Sequence, residues 1–331
     1  MKTEGIYTYA ALFAAVLILT VLLERVLIPV LCRYRADQPI LTIGPVWHMS
    51  KSGTPTMGGL AFIMALLAVF LSYAAWLLLR GERASLLAPV LVILYAAACG
   101  AIGFFDDYRK LCKRQNEGLC AMHKYLLQLL VSAALLFAAR YLELIDTAIA
   151  LPFTARELEL GILYYPLALL FLTGMVNALN LTDGLDGLLA STVAVLGVFF
   201  FLYGNLRGEG LFSFFGALLT AAMLGFLVFN HHPARVFMGD TGSLFLGGVV
   251  ASVGLLSAQP LTVLGAGGIY LAEAGSVILQ VAYFKLTHGR RLFLMAPFHH
   301  HLEKKGYSEN TVVVLFSLVT AILCCLMLLG R

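Results

Sequence analysis

Apolar residues run through this chain in blocks of about 20, each long enough to cross a hydrocarbon core as a helix, with polar residues gathered in the short stretches between them. The pattern predicts ten spans, over residues 8–31, 56–79, 86–105, 122–141, 161–181, 187–204, 211–230, 243–258, 262–286 and 311–330. Spans eight and nine are the least regular, because Gly247, Gly248, Gly265, Gly267 and Gly268 lower helix propensity there. The first block, Tyr9 to Leu31, is too long for the apolar core of a signal peptide and lacks a small-x-small cleavage site, so it reads as a span. No polar stretch is long enough to fold as a water-soluble unit. The expected fold class is all-α, a polytopic integral membrane protein forming one domain over residues 1–331.

Composition agrees with that reading. Hydrophobic residues make up 61% of the chain and charged residues 12%, about half the charged share of a soluble protein. An even number of spans puts both termini on one side. The loops opposite the termini hold 14 Lys and Arg residues and the termini side holds 7, with Arg25 inside the first span. The positive-inside bias therefore sets the basic loops in the cytoplasm and both termini outside it. Cys32, Cys99, Cys112, Cys120, Cys324 and Cys325 form neither a C-x-x-C pair nor a zinc spacing, and are expected to be reduced and unpaired.

Under this layout every unusual polar motif falls on the cytoplasmic side: KSGTPTMGG at 51–59, FFDDYRK at 104–110, NALNLTDGLDG at 177–187, NHHPARVFMGDTGS at 230–243 and APFHHHLEKKG at 296–306. A transporter is expected to carry ionisable groups near the bilayer midplane. Here they ring one interface, as an enzyme acting on a cytosolic substrate requires. Thr54 fits an N-cap with Pro55 as the first helical residue, which would aim free N–H groups at the cytoplasm beside Lys51 and form an anion site. Asp240 or Thr241 can cap span eight in the same way. For Thr54 and Thr241 ordinary capping and substrate contact both stay open. Asn177 and Asn180 are three apart, as are Asp183 and Asp186, so each pair can share a helix face. One amide would serve as interhelical glue, but all four groups at the end of a span point to a polar ligand.

Asp106 and Asp107 directly follow Phe104 and Phe105, a position that a merely solvated charged loop does not explain. With Asp240 they supply carboxylates suited to a hard cation such as Mg²⁺, and Lys51, Lys110 and Lys124 supply countercharge for phosphate oxygens. That is equipment for phosphoryl transfer. His299, His300 and His301 are consecutive, so they point different ways on a helix and are expected to hydrogen-bond a phosphate or sugar rather than ligate one ion together. Glu24 is expected to pair with Arg25, and Glu273 to face the bundle interior or a break in span nine; neither is assigned a role.

Together TPTMGG, FFDDYRK, NALNLTDGLDGL, GDTGSLFLGG and APFHHHLE resemble the phospho-N-acetylmuramoyl-pentapeptide transferase family, a branch of the polyprenyl-phosphate sugar-1-phosphate transferases, over nearly the whole chain. The acidic pairs and the NxxN segment are shared across the wider group; TPTMGG and the histidine run preceded by AP favour the muramoyl branch. The resemblance implies transfer of phospho-MurNAc-pentapeptide from UDP-MurNAc-pentapeptide to undecaprenyl phosphate, giving lipid I and UMP, with Mg²⁺ as cofactor. It implies Asp240 as the principal metal ligand and Asp106 and Asp107 as a catalytic acidic pair, one of them a candidate base. It also implies that Lys51, Lys110, Asn180, Asp183, Gly184, Leu185, Asp186, Asn230 and Phe237 surround the nucleoside and diphosphate, and that the histidine run is needed for activity. A multi-pass homodimer in the bacterial inner membrane is expected, with the lipid bilayer around it and no nucleic-acid partner. The alternative activity is that of a sibling moving GlcNAc-1-phosphate from UDP-GlcNAc to the same lipid; from another class, the alternative is a transporter.

Overall fold

The computed structural model describes residues 3–33, 53–113, 118–154 and 156–330. Its long helices are α1 (Thr3–Arg33), α2 (Gly59–Leu79), α3 (Leu87–Lys113), α4 (Ala121–Tyr141), α5 (Tyr164–Thr182), α6 (Leu188–Arg207), α7 (Gly210–Asn230), α8 (Gly239–Leu256), α10 (Gly268–Leu286) and α12 (Glu309–Leu329). Two short helices, α9 (Pro260–Ala266) and α11 (Phe298–Lys304), lie between them. Among the described residues ten helices are long and apolar enough to cross a membrane. Each predicted span has its long helix, and the differences lie at the helix ends, one of which, at Gly267, falls inside predicted span nine.

Three of those ends matter to the site. Helix α3 runs to Lys113, well past the predicted stop at residue 105, so Asp106, Asp107 and Lys110 project from a continuous helix rather than a loop. An ammonium four residues after Asp106 and three after Asp107 supports that extension. Helix α2 starts at Gly59 instead of residue 56, and Thr54 does not cap it. Pro55–Gly59 instead docks on the segment before α8: Phe237 N–H donates to the Pro55 carbonyl (2.8 Å), Gly58 N–H to that of Phe237 (2.9 Å), and Gly59 N–H to that of Met238 (3.0 Å). Span nine is broken at Gly267 into α9 and α10, where the glycines make interruption cheap.

Helix α8 is the axis of the bundle, buried along nearly its whole length from Thr241 to Leu256, whereas most of α1 is exposed or half-buried. It packs on α2, α3, α5, α7 and α9. The glycines that weaken its propensity in isolation let neighbouring backbones come close. A Cβ at Gly247 would stand 2.7 Å from the Val176 Cα on α5, and one at Gly248 would stand 2.8 Å from the Ala96 Cα on α3. In lipid, where apolar burial gives little drive to helix association, such close packing is what holds helices together. Span eight therefore forms an unbroken helix despite its glycines.

On α1, Glu24 is fully buried and neither carboxyl oxygen has a hydrogen-bond partner, so the expected pairing with Arg25 does not form. Thr20, one turn earlier on the same face, packs on Gly225 of α7. The structure also has a feature that the all-α expectation lacked. Strands β1 (Ala148–Ala150) and β2 (Glu157–Glu159) form an antiparallel hairpin with Ile149 opposite Leu158, each strand too short to show alternation in sequence. All six cysteines are free.

The tightest helix contact gives a test. A Cβ on Gly103 would overlap the Asp240 carbonyl, whereas one on Gly174 of α5 meets nothing within 4 Å. Gly103→Ala should cost about 1–3 kcal/mol of stability by overpacking. Gly174→Ala should be neutral or stabilising by under about 1 kcal/mol. Thermal unfolding of both variants in detergent checks the contrast.

Candidate active site

The site is built around the first turn of α8, whose leading N–H groups have no partner inside the helix. Their acceptor comes from α3. Asp107, fully buried, accepts from Asp240 N–H at Oδ1 (3.2 Å), and at Oδ2 from Thr241 N–H (2.9 Å) and the Thr241 hydroxyl (2.7 Å). A carboxylate at a helix N-terminus also meets the positive end of the dipole. The cap is thus supplied across a helix contact by Asp107, not by Asp240 or Thr241. That frees the Asp240 side chain for other partners.

Those partners converge from three helices. Lys110 Nζ (α3) lies 3.0 Å and Lys124 Nζ (α4) 2.8 Å from Asp240 Oδ2. Asn180 (α5) donates from Nδ2 to Asp240 Oδ1 (2.9 Å) and to Ser243 Oγ (2.8 Å). Lys110 also reaches Asp106 Oδ2 at 2.6 Å, and the other Asp106 oxygen accepts from Leu119 N–H at 2.7 Å. Asp106, Asp107 and Asp240 each offer an oxygen within 4.8 Å of the others. Three carboxylates at this spacing demand positive charge, and two ammonium groups already meet one oxygen of Asp240. The oxygen-only donor set fits a hard divalent cation bound through one or two carboxylates, with phosphate and water completing its shell.

Around this cluster a second set of bonds fixes the loops. Asn230, buried at the end of α7, accepts from Gly187 N–H (3.1 Å) and donates to the Val236 carbonyl (2.9 Å). Asp186 Oδ2 accepts from Ala234 N–H (3.0 Å) and lies 3.0 Å from His232 Nδ1, with Glu309 of α12 3.7 Å from the same imidazole nitrogen. The turn after α5 is thereby tied to the 231–238 segment, onto which Pro55–Gly59 also docks. Phe237, half-buried, sits in that segment with its backbone held on both sides. Asp183 is half-buried at the same turn. Burial, reinforced by the charges of Asp240, Asp107 and Asp186, pushes its carboxyl up to about 8.

Other candidate residues have different surroundings. Asn177 forms a reciprocal amide pair with Gln128 of α4, at 2.6 and 3.4 Å, so its side chain joins α4 to α5. Leu185 is buried beneath the turn, and Gly184 lies against the ring of His299. The three histidines take three different partners, although the rings of His299 and His300 lie 4.2 Å apart. His299 Nδ1 meets Glu273 (2.8 Å), His300 Nδ1 meets Glu303 (2.6 Å), and His301 Nδ1 accepts from Leu294 N–H (3.1 Å). Thr54, half-buried, precedes the docked segment, and Lys51 lies outside the described residues. Sequence reasoning missed Gln128, Ser243 and Glu303. The first two carry a readable signal, since Gln128 stands one turn after Lys124 and Ser243 one turn after Asp240.

The chain has relatives among characterised sequences. Residues 89–258 match the glycosyl transferase family 4 model, and residues 51–63 match phospho-N-acetylmuramoyl-pentapeptide-transferase signature 1. The phospho-N-acetylmuramoyl-pentapeptide-transferase of Clostridium botulinum (strain Alaska E43 / Type E3) is 44% identical, over 92% of this chain and 91% of its own length. The enzymes of the same name from Clostridium novyi (strain NT) and Clostridium perfringens (strain SM101 / Type A) are 43% and 42% identical, over 90% and 92% of this chain and 89% and 90% of theirs.

Asp183 gives this site a pH signature. Its folded pKa lies above the unfolded carboxylate value of about 4, so it binds more proton folded than unfolded across the interval between. Stability present below that value is lost as pH rises through about 8. With divalent cations chelated, the wild type should lose thermal stability from about pH 5 to about pH 9. Asp183→Asn should lose less over the same interval; equal losses would count against a carboxyl strained by burial.

Proposed function

This chain belongs to the phospho-N-acetylmuramoyl-pentapeptide-transferase family, and on that premise we propose that it transfers phospho-MurNAc-pentapeptide from UDP-MurNAc-pentapeptide to undecaprenyl phosphate, releasing UMP and forming lipid I for peptidoglycan synthesis. The observation that carries this reading is the single hydrogen-bonded cluster of Asp106, Asp107, Lys110, Lys124, Asn180 and Asp240 at one end of the spans. It provides the positioning and the fixed charge that phosphoryl transfer needs. Asp240, with Asp106 beside it, would hold Mg²⁺, which would supply neutralising charge to the diphosphate.

The acceptor phosphate, with a second pKa of about 6, is largely dianionic at neutral pH and needs little help from a base before it attacks. One of its oxygens forms a bond to the phosphorus joined to the sugar. The bond from that phosphorus to the bridging oxygen breaks, and UMP leaves with the electron pair. Lys110 and Lys124 reduce repulsion between the two anions. Asp107 holds the α8 turn with both oxygens, and each oxygen of Asp106 and Asp240 already has a donor. That commitment supports direct attack over an aspartyl-phosphate intermediate. The Lys and Arg bias supports a cytoplasmic site with both termini outside, in the bacterial inner membrane, the lipid tail lying between spans. A homodimer is proposed from the family alone.

Purified protein with Mg²⁺, UDP-MurNAc-pentapeptide and undecaprenyl phosphate should release UMP. Asp240→Asn should slow it by about 10²-fold or more, as expected for losing charge aimed at the reacting phosphates. Release from UDP-GlcNAc instead would move the protein to the sibling activity. In rapid-quench samples no covalent phosphoenzyme should form at a rate competent for turnover; finding one would overturn direct attack.

A further inference from the structure

The cluster just described leaves the buried contact between Glu273 and His299 without a part. Glu273, in the second turn of α10, is fully buried, and His299, at the start of α11, is 1% exposed. The two oxygens of Glu273 face two groups of His299: the backbone N–H donates to Oε1 (3.0 Å), and Nδ1 lies 2.8 Å from Oε2. A carboxylate accepting at both oxygens places the ring proton on Nδ1 and fixes the tilt of the imidazole. The remaining nitrogen, Nε2, is buried and has no hydrogen-bond partner. It faces Gly184, in the turn between Asp183 and Leu185, so closely that any Cβ at that position would overlap it. Burying a Glu carboxyl in a membrane-spanning helix is costly when an apolar residue could fill the same space, which argues for a specific use.

We propose that Glu273 is a positioning residue for the transfer reaction. It clamps His299 in one tautomer and orientation, and the ring in turn holds the Asp183–Gly184 turn at the edge of the carboxylate–lysine cluster. The strut runs from α10 through α11 to the α5–α6 turn. Gly184 belongs to it because only a residue without a Cβ admits the ring. The inference rests on the transferase reading for its activity readout, and on the geometry alone for the clamp.

The test uses the full-length enzyme in detergent. Glu273→Gln keeps the side chain's shape but offers only one acceptor oxygen, so either the backbone N–H or Nδ1 loses its partner. It should lower kcat/KM for UMP release roughly tenfold or more, the scale for losing a group that orients a functional histidine. Thermal stability should change little. The double variant Glu273→Gln/His299→Gln should be no slower than His299→Gln alone, because the two side chains act as one unit. Nitrogen-15 signals of histidine should show a protonated Nδ1 on His299 in the wild type and a changed tautomer in Glu273→Gln. Should Glu273→Gln fail to fold, Gly184→Ala provides the same reading by displacing the ring with Glu273 intact, and should lose activity to a similar degree. Unchanged turnover in the folded variants, multiplying losses in the double variant, or an unprotonated Nδ1 in the wild type would each overturn the positioning role. A wild type that releases no UMP while its Nδ1 is protonated would overturn the transferase reading and leave the clamp standing as structure.

Discussion

The leading N–H groups of α8 need an acceptor, and in this fold a carboxylate from another helix answers them. Asp107 takes the Asp240 and Thr241 amides and the Thr241 hydroxyl. Much follows from that one contact. The α3 and α8 backbones must nearly touch, which Gly103 permits. With its first turn fixed, α8 holds Asp240 where Lys110, Lys124 and Asn180 can reach it from three helices. The acidic pair therefore has two distinct parts. Asp107 turns inward to hold a helix, while Asp106 pairs with Lys110 and anchors the backbone at Leu119.

Precision in the rest of the site comes from backbone groups as much as side chains. The 231–238 segment receives Asp186 and Asn230 on one side and Pro55–Gly59 on the other. Loops held this way move with the helices they join, so the residues that surround the cluster share its rigidity. The supporting residues are mostly buried, which keeps their bonds out of competition with water.

Regular local features were legible in the sequence. Ten apolar runs gave the ten long helices among the described residues, whereas the ion pairs of Asp106 and Asp107 with Lys110 went unread because span three was expected to stop at residue 105. Helix ends and partner choice were not, because both depend on residues distant along the chain. Thr54 and Pro55 carry a good local capping pattern, yet the backbone of Phe237 and Met238 claims that segment. Gly247 and Gly248 read as weak points until Val176 and Ala96 are seen against them. Asn177 looks like its neighbour Asn180, but Gln128 takes its amide. Glu273 stands alone in an apolar run, and its partner His299 lies beyond an intervening loop.

Glu24 bears on how the molecule is made. It lies on α1, on the face that carries Thr20 against Gly225 of α7, six helices further along the chain. Until α7 is synthesised, that face has lipid or earlier helices beside it and a carboxyl group without its final enclosure. Enclosure of this face of α1 thus waits on a helix made much later. Helix α2, made directly after α1, packs on it early, so it is the polar-lined contact with α7, not the placing of α1 as a whole, that closes late.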